Sequence, residues 1–138
     1  MHVRVASEVV ARALTAAALA GVLALGLGCR GNAGDDVRME WAIVPARPFT
    51  GGETVARITL LDARRQPVRG ARLRLEAHMS HPGMTPVVAG VIERGDGVYE
   101  ARLQFAMAGD WILVIAGELP DGSRMTRSLD IAGVRSAG

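Results

Sequence analysis

The chain is poor in cysteine: Cys29 is the only one, so an intramolecular disulfide is excluded. Small exported domains are often rich in disulfides because their cores are limited. Here the chain beyond the N-terminal apolar segment has enough Val, Leu and Ile to build a core without one. The position of Cys29, directly after Gly28 at the end of an apolar run, therefore needs an explanation of its own.

Lysine is absent, and the 16 basic residues are all arginines, against 14 acidic residues. Residues 1–28 contain Arg4, Arg12 and Glu8, so the remainder has 14 arginines and 13 acidic residues, a net charge of +1. Nucleic-acid binding needs a clustered basic face. The even balance of charges therefore argues against a nucleic-acid partner.

Signatures of common enzymes are missing as well. The chain has no Gly-x-Ser-x-Gly elbow, phosphate-binding loop, Rossmann glycine pattern or His-Glu-x-x-His zinc motif. After residue 28 only His78 and His81 remain as histidines, so a Ser-His-Asp triad would have to use one of them. We therefore expect neither enzymatic activity nor a small-molecule substrate.

Residues 1–28 have the organisation of an export signal. Arg4 and Arg12 precede an apolar run that ends at Leu27, and Gly28-Cys29 follows, in the order of charged segment, apolar segment and cleavage site. The last five residues of this stretch, 25–29, resemble a bacterial lipoprotein lipobox, in which the cysteine is lipidated, although Gly26 replaces the usual aliphatic residue. An uncleaved transmembrane helix is the alternative, but the run is shorter than the roughly 20 residues of a comfortable span.

These features divide the chain into four segments. We predict a signal peptide over residues 1–28, a flexible polar tether over 29–36, one β-domain over 37–133 and a C-terminal tail over 134–138. Cys29 would be the mature N-terminus, and its lipid would hold the protein on the cell membrane, facing the periplasm or the cell exterior.

Beyond residue 36, apolar runs alternate with turn signals, a pattern typical of β-sandwiches. The predicted strands cover residues 37–44, 53–61, 71–79, 87–93, 98–105, 111–118 and 124–131. The sixth strand is apolar on both faces, which predicts a central position. Seven strands in one domain predict an all-β fold, an immunoglobulin-like sandwich preceded by an N-terminal signal or anchor helix.

The stretch His78-Met79-Ser80-His81-Pro82-Gly83-Met84 concentrates the metal-capable side chains of the chain. Two imidazoles and two thioethers form a soft donor set, which suits Cu(I) better than hard cations. The whole chain has only three histidines and six methionines, so this density favours a site over chance. The sequence therefore predicts copper as the bound metal.

Strand alternation and polarity refine this candidate site. Regular extension puts His78 and Met79 on opposite faces of the third strand, whereas His81 and Met84 lie in the following turn. If consecutive strands are antiparallel, Met107 lies at the same end of the sandwich. The predicted ligands are, in order, His81 and Met84, then His78, then Met79 and Met107.

Structural interpretations of the same residues stay open. Met79, on the apolar face, has the position of a core residue, and Met107 has a place between Phe105 and Trp111 where it would cap the core. His78, beside arginine and glutamate, would then be a solvated surface histidine. Two other methionines, Met39 and Met125, are expected in the core, Met125 at the opposite end of the sandwich.

Several short motifs carry a family resemblance. They are Pro67 with Gly70-Ala71, the turn 79–86, the Gly95–Tyr99 segment and the Phe105–Trp111 segment. From about Val55 to Ile131 the chain resembles the YtkA-like family and the related FixH-like periplasmic domains. The resemblance implies a small immunoglobulin-like domain outside the cytoplasmic membrane and, for FixH-like members, a link to copper supply during assembly of a haem-copper oxidase. The chain differs from those members in its lipobox-like cysteine, where they have a plain transmembrane anchor.

Two functions follow as expectations. The first is a lipid-anchored domain that binds Cu(I) for copper handling, with a membrane metalloenzyme or a copper transporter as its partner. The second is a non-metal interaction module, in which the sandwich end formed by the 78–86 turn and residues 107–111 docks on a membrane or cell-envelope complex.

Overall fold

The computed structural model describes residues 33–138; the predicted signal peptide, Cys29 and the start of the predicted tether lie outside the described residues. The elements are η1 (Ala33–Asp35), β1 (Arg38–Val44), β2 (Glu53–Leu61), β3 (Arg72–Met79), β4 (Val87–Gly95), β5 (Val98–Gln104), β6 (Gly109–Glu118) and β7 (Arg124–Val134). In this part of the chain no helix has the length and apolar character needed to cross a membrane.

The seven strands form one antiparallel sheet in the order β1-β2-β5-β4-β3-β6-β7. Strand β4 is shared, because its first part pairs with β3, with Val87 opposite Ala77, and its second part pairs with β5, with Val91 opposite Ala101. The sheet thereby folds into two layers, β1-β2-β5 and β3-β6-β7, which β4 joins. The predicted all-β sandwich of seven strands is confirmed.

The core forms where alternate side chains of the two layers meet. In β2 the inward residues Ala56, Ile58 and Leu60 are buried, and in β3 Leu75 and Ala77 are buried while Arg72 and Arg74 are exposed. The largest fully buried side chains are Trp111, Tyr99, Phe105, Ile58, Leu60, Leu75, Leu113 and Ile115. Burial of each large apolar side chain contributes about 1.5–3 kcal/mol before entropic costs.

Strand β6 is central within its layer, as its sequence predicts. It lies between β3 and β7, and its outward residues Ile112 and Val114 are themselves half-buried. Met125 is buried and Met39 packs against the core, so both methionines that the sequence assigns to the interior are there. Met125 also lies opposite Gly117, at the far end of β6 from Trp111.

Strands β6 and β7 are longer than the sequence predicts. β6 begins at Gly109 instead of Trp111, and β7 ends at Val134 instead of Ile131. Gly109 pairs with Val134 across a register shift, and the Asp110 carboxylate accepts the Gly133 N–H at 2.8 Å. Gly109 and Gly133 have φ of 128° and 67°, so this irregular pairing depends on two glycines that lie outside the strands predicted from the sequence.

The outer strands β1 and β7 run in the same direction. Phe49 and Arg135, just beyond their ends, form a parallel bridge, and Thr50 N–H donates to the Arg135 carbonyl at 2.9 Å. A groove of about 360 Å³ lies between the two strands, with Trp41 and Ile131 in its lining. Trp41 is 42% exposed in this groove, because β1 is an edge strand that pairs only with β2.

Hydrogen bonds hold the segments before β1 and after β7 against the rest of the domain. Arg127 Nη2 on β7 donates to the Gly34 carbonyl at 3.0 Å, so residues 33–36 of the predicted tether lie against β7. At the other end of β7, Ala137 N–H donates to the Thr50 hydroxyl at 2.9 Å.

A carboxylate with two arginine partners predicts an acid-sensitive contribution to stability. The Arg57 and Arg94 guanidiniums donate hydrogen bonds to Glu100 and lower the pKa of its carboxyl below the ordinary value. Glu100 therefore stabilises the fold above the ordinary carboxyl pKa, and this contribution disappears as the pH falls through the lowered value. In Glu100→Gln we expect the free energy of unfolding to fall less steeply between neutral and acidic pH, measured by urea denaturation.

The control for this measurement is Glu53→Gln, which removes a surface carboxylate that pairs with one arginine, Arg102. An acid-dependent loss of stability in Glu100→Gln equal to that of the unsubstituted protein would contradict the prediction.

Thr54 offers a test of core packing. Within residues 33–138 its hydroxyl is the one buried side-chain polar atom without a hydrogen-bond partner. Burying an unsatisfied hydroxyl costs about 1–3 kcal/mol, so we expect the isosteric Thr54→Val to raise the free energy of unfolding by about 1 kcal/mol. The half-buried Thr59 on the same strand provides the control substitution Thr59→Val. A lower denaturant midpoint for Thr54→Val than for the unsubstituted protein would refute the prediction.

Candidate metal centre

The histidine- and methionine-rich turn starts from a fixed point on β6. Ser80 follows directly after β3, and both its N–H and its hydroxyl donate to the Asp110 carbonyl, at 3.0 and 3.1 Å. Because Asp110 also accepts the Gly133 N–H, the end of β3 is tied through β6 to β7. The backbone that leads into His81 is therefore anchored.

His81 and Met84 lie in the exposed turn between β3 and β4. Met84 is 41% exposed, and His81 is exposed as well. Gly83 between them has φ of 94°, which reverses the chain in a conformation that other residues rarely adopt. Both donors that the sequence places first therefore project from a turn into solvent.

His78 lies on the outward face of β3, as alternation predicts. Its Nε2 is 3.1 Å from Oε2 of Glu76, two residues earlier on the same face, and its side chain is 40% exposed. Arg74 contacts the other carboxylate oxygen of Glu76. His78 is thus part of a chain of polar contacts along β3 that runs through Glu76 to Arg74.

Met79 points to the opposite side. It is half-buried, packs against the core, and is opposite Trp111 in the β3–β6 register. Its methyl carbon would lie 3.1 Å from a Cβ on Gly109, so the missing side chain at residue 109 makes room for the thioether. Met79 therefore lies on the core side of β3, as strand alternation predicts.

Met107 lies in the β5–β6 connection at the same end of the sandwich. Its carbonyl accepts the Trp111 indole N–H at 3.1 Å, which holds the loop against the core, while its side chain is 46% exposed. The Trp111 ring packs on Phe105 with centroids 5.2 Å apart. Met107 therefore does not fill the space between these two aromatic rings.

All five predicted ligands thus lie at or next to one end of the sandwich, where β3 and β5 end and β4 and β6 begin. His78, His81, Met84 and Met107 have exposed or half-exposed side chains, and Met79 is turned inward. Residues 33–138 contain no group of three or more His, Cys, Asp or Glu side chains arranged to hold a metal ion. Within these residues, the soft donors at this end are the imidazoles of His78 and His81 and the thioethers of Met84 and Met107.

The same end is also apolar. Five of the large hydrophobic side chains that are exposed in the described residues lie there: Val44, Phe49, Met84, Val88 and Met107. A cavity of about 250 Å³ lies beside Ser80 and Asp110, and an open groove of about 480 Å³ is lined by Glu53, Val87 and Leu103. The geometry is that of an open surface site.

Comparison with known proteins identifies a family. A family model described as YtkA-like matches residues 35–116, which is more than half of the chain. No functionally curated protein matches the sequence.

Several solved structures are similar in shape. A DUF4426 family protein from Pseudomonas aeruginosa is 12% identical with a TM-score of 0.53, and the match covers 75% of this chain and 94% of that one. The Lin-41 filamin domain is 18% identical with a TM-score of 0.47, covering 66% and 90%. A superoxide reductase (neelaredoxin) from Ignicoccus hospitalis is 9% identical with a TM-score of 0.48, covering 72% and 79%. The similarity to the DUF4426 family protein concerns the fold alone.

Proposed function

The chain belongs to the YtkA-like family, and from this premise we propose that it is an extracytoplasmic domain that binds copper, as Cu(I), for copper handling or delivery to a membrane metalloenzyme. The observation that carries the proposal is the exposure of the Met84 and Met107 thioethers at the sandwich end that also holds His78 and His81. Exposed apolar side chains that gather at one end of a domain, unlike single ones, mark a binding surface.

The residues present fit this metal. Cu(I) prefers soft thioether and imidazole ligands, and those are the donors at this end of the sandwich. In the proposed site His81 and Met84 are the principal donors, with His78 and Met107 as the further ones. Met79 is left to the core, because its side chain packs against Gly109 and is half-buried.

An exposed site suits transfer of the metal as opposed to permanent storage. The His81–Met84 turn projects into solvent, so an incoming partner can approach the donors without unfolding the domain. The copper ion is then a cargo of the protein, and we propose a binding role with no catalysis.

The test is an anaerobic titration of the mature protein with Cu(I) in the presence of a chromogenic Cu(I) chelator. We expect one Cu(I) per chain. A dissociation constant weaker than about 1 μM would refute the proposal, because a delivery protein must hold its ion against cellular competitors.

The proposed location depends on Cys29, which lies outside the described residues. We propose that a lipid on Cys29 anchors the mature protein in the membrane, with a single N-terminal transmembrane helix as the alternative. Mass spectrometry of the membrane fraction decides between them. An acylated Cys29 at the N-terminus would support the lipid anchor, and an intact Met1 would refute cleavage.

A second candidate function is favoured by the apolar character of the same end. Val44, Phe49 and Val88 are exposed there but cannot ligate a metal, so a protein partner would explain their exposure better than copper does. A photo-crosslinking residue at Phe49 tests this function in membranes. Capture of the same partner with and without a copper chelator would favour docking alone, and capture that requires copper would favour the metal role.

A further inference from the structure

Glu76 and His78 form a directed contact on the outward face of β3. The Nε2 atom of His78 lies 3.1 Å from Oε2 of Glu76, which is within hydrogen-bond distance. An ionised carboxylate accepts hydrogen bonds and has none to donate. In the neutral imidazole, Nε2 must therefore carry the proton, and Nδ1 is left with the lone pair.

The carboxylate itself is held in place. Arg74, two residues before Glu76 on the same face, contacts its other oxygen, Oε1. On the neighbouring strands the residues opposite Glu76 are Val88 and Val114, whose side chains offer no competing hydrogen bond. The Arg74 guanidinium thus holds one oxygen of the Glu76 carboxylate, and the other oxygen is left for His78.

The direction of this contact decides where the free nitrogen points. Nε2 is turned back along β3 toward residue 76, and the two nitrogens of an imidazole point in roughly opposite directions. Nδ1 is therefore turned away from Glu76, and the chain continues from His78 into the 80–86 turn, which carries His81 and Met84. Because Nδ1 is the ring nitrogen nearer the backbone, an ion bound there stays close to the end of the strand.

We propose that Glu76 is a positioning residue for the metal site: it holds the Nε2–H tautomer of His78, so that His78 binds Cu(I) through Nδ1. This inference rests on the proposed copper function and specifies one of its donors. Carboxylates that hold the second nitrogen of a metal-binding histidine are common, and their removal typically weakens metal binding about 10–100-fold.

The first test needs no metal. Long-range ¹H–¹⁵N correlation NMR of the metal-free protein near neutral pH distinguishes the two imidazole tautomers of His78. We expect the Nε2–H form to predominate, and Glu76→Gln to produce a mixture, because an amide can also donate to the ring. A predominant Nδ1–H form in the unsubstituted protein would overturn the inference.

The second test is the Cu(I) affinity of Glu76→Gln, which we expect to fall about 10–100-fold. The control is Glu118→Gln, which removes the partner of Arg72 on the same face at the other end of β3 and should change neither the tautomer nor the affinity. An unchanged affinity in Glu76→Gln, with Cu(I) bound by the unsubstituted protein, would overturn the role of Glu76 alone. Failure of the unsubstituted protein to bind Cu(I) would overturn the proposed function together with this inference.

Discussion

The double substitution His81→Ala with Met84→Leu is expected to abolish Cu(I) binding, with an affinity loss of more than about 100-fold. The double substitution removes both principal donors. Its effect on Cu(I) affinity must therefore exceed the roughly 10–100-fold loss that is typical when a supporting carboxylate is removed. The domain itself should remain folded, because both side chains are exposed in a turn and contribute little to the core. Chelator competition measures the affinity, and thermal unfolding followed by circular dichroism checks the fold.

The matched control for this experiment is a substitution at a buried methionine, Met125. Met125→Leu makes the same change of side chain at a core position, at the opposite end of the sandwich from the cluster. We expect its Cu(I) affinity to equal that of the unsubstituted protein. Retention of full affinity by the double variant would contradict the assignment of His81 and Met84, even if the protein binds Cu(I) elsewhere.

Trp111→Ala is expected to lower the free energy of unfolding by about 3–5 kcal/mol, the usual cost of removing a buried tryptophan. Trp111 is 1% exposed and packs on Phe105, and its indole N–H holds the Met107 carbonyl. Its removal leaves a cavity in the core and releases the loop that carries Met107. Urea denaturation with fluorescence or circular dichroism detection measures the loss.

Trp41→Ala is the control, because it removes the same side chain from the partly exposed edge strand β1. We expect a markedly smaller loss of stability than for Trp111→Ala. Equal losses for the two variants would contradict the central role assigned to Trp111. A third variant, Trp111→Phe, keeps one aromatic ring but loses the second ring and the hydrogen bond to Met107, so we expect a loss of stability smaller than for Trp111→Ala.

The sequence predicts the strands because their two faces differ strongly in composition. In β3, Leu75 and Ala77 alternate with Arg74 and Glu76, and the structure buries the first pair and leaves the second at the surface. The pattern predicts less where a strand ends at a glycine. The extension of β6 to Gly109 depends on pairing with Val134, which is distant in sequence, and local periodicity carries no information about such a partner.

The candidate site is predictable in part for similar reasons. Alternation correctly separates His78 from Met79, and the order of antiparallel strands correctly brings Met107 to the end that holds the turn. Sequence spacing predicts only that Glu76 and His78 share one face of β3. Their contact depends on the rotamer that brings the Glu76 carboxylate to His78, and spacing does not specify a rotamer. The pocket that Gly109 opens for Met79 likewise depends on the register between β3 and β6.

The parallel course of β1 and β7 has a practical consequence for attaching labels. β1 starts at the end of the sandwich remote from the cluster, whereas residues 135–138 lie beside the β1–β2 loop at the cluster end. A purification tag or fluorophore after Gly138 would be attached at the same end of the sandwich as His81 and Met84. Immobilisation through residues before Ala33 would leave these side chains facing the solution, so titrations and partner-capture assays are best built on N-terminal attachment.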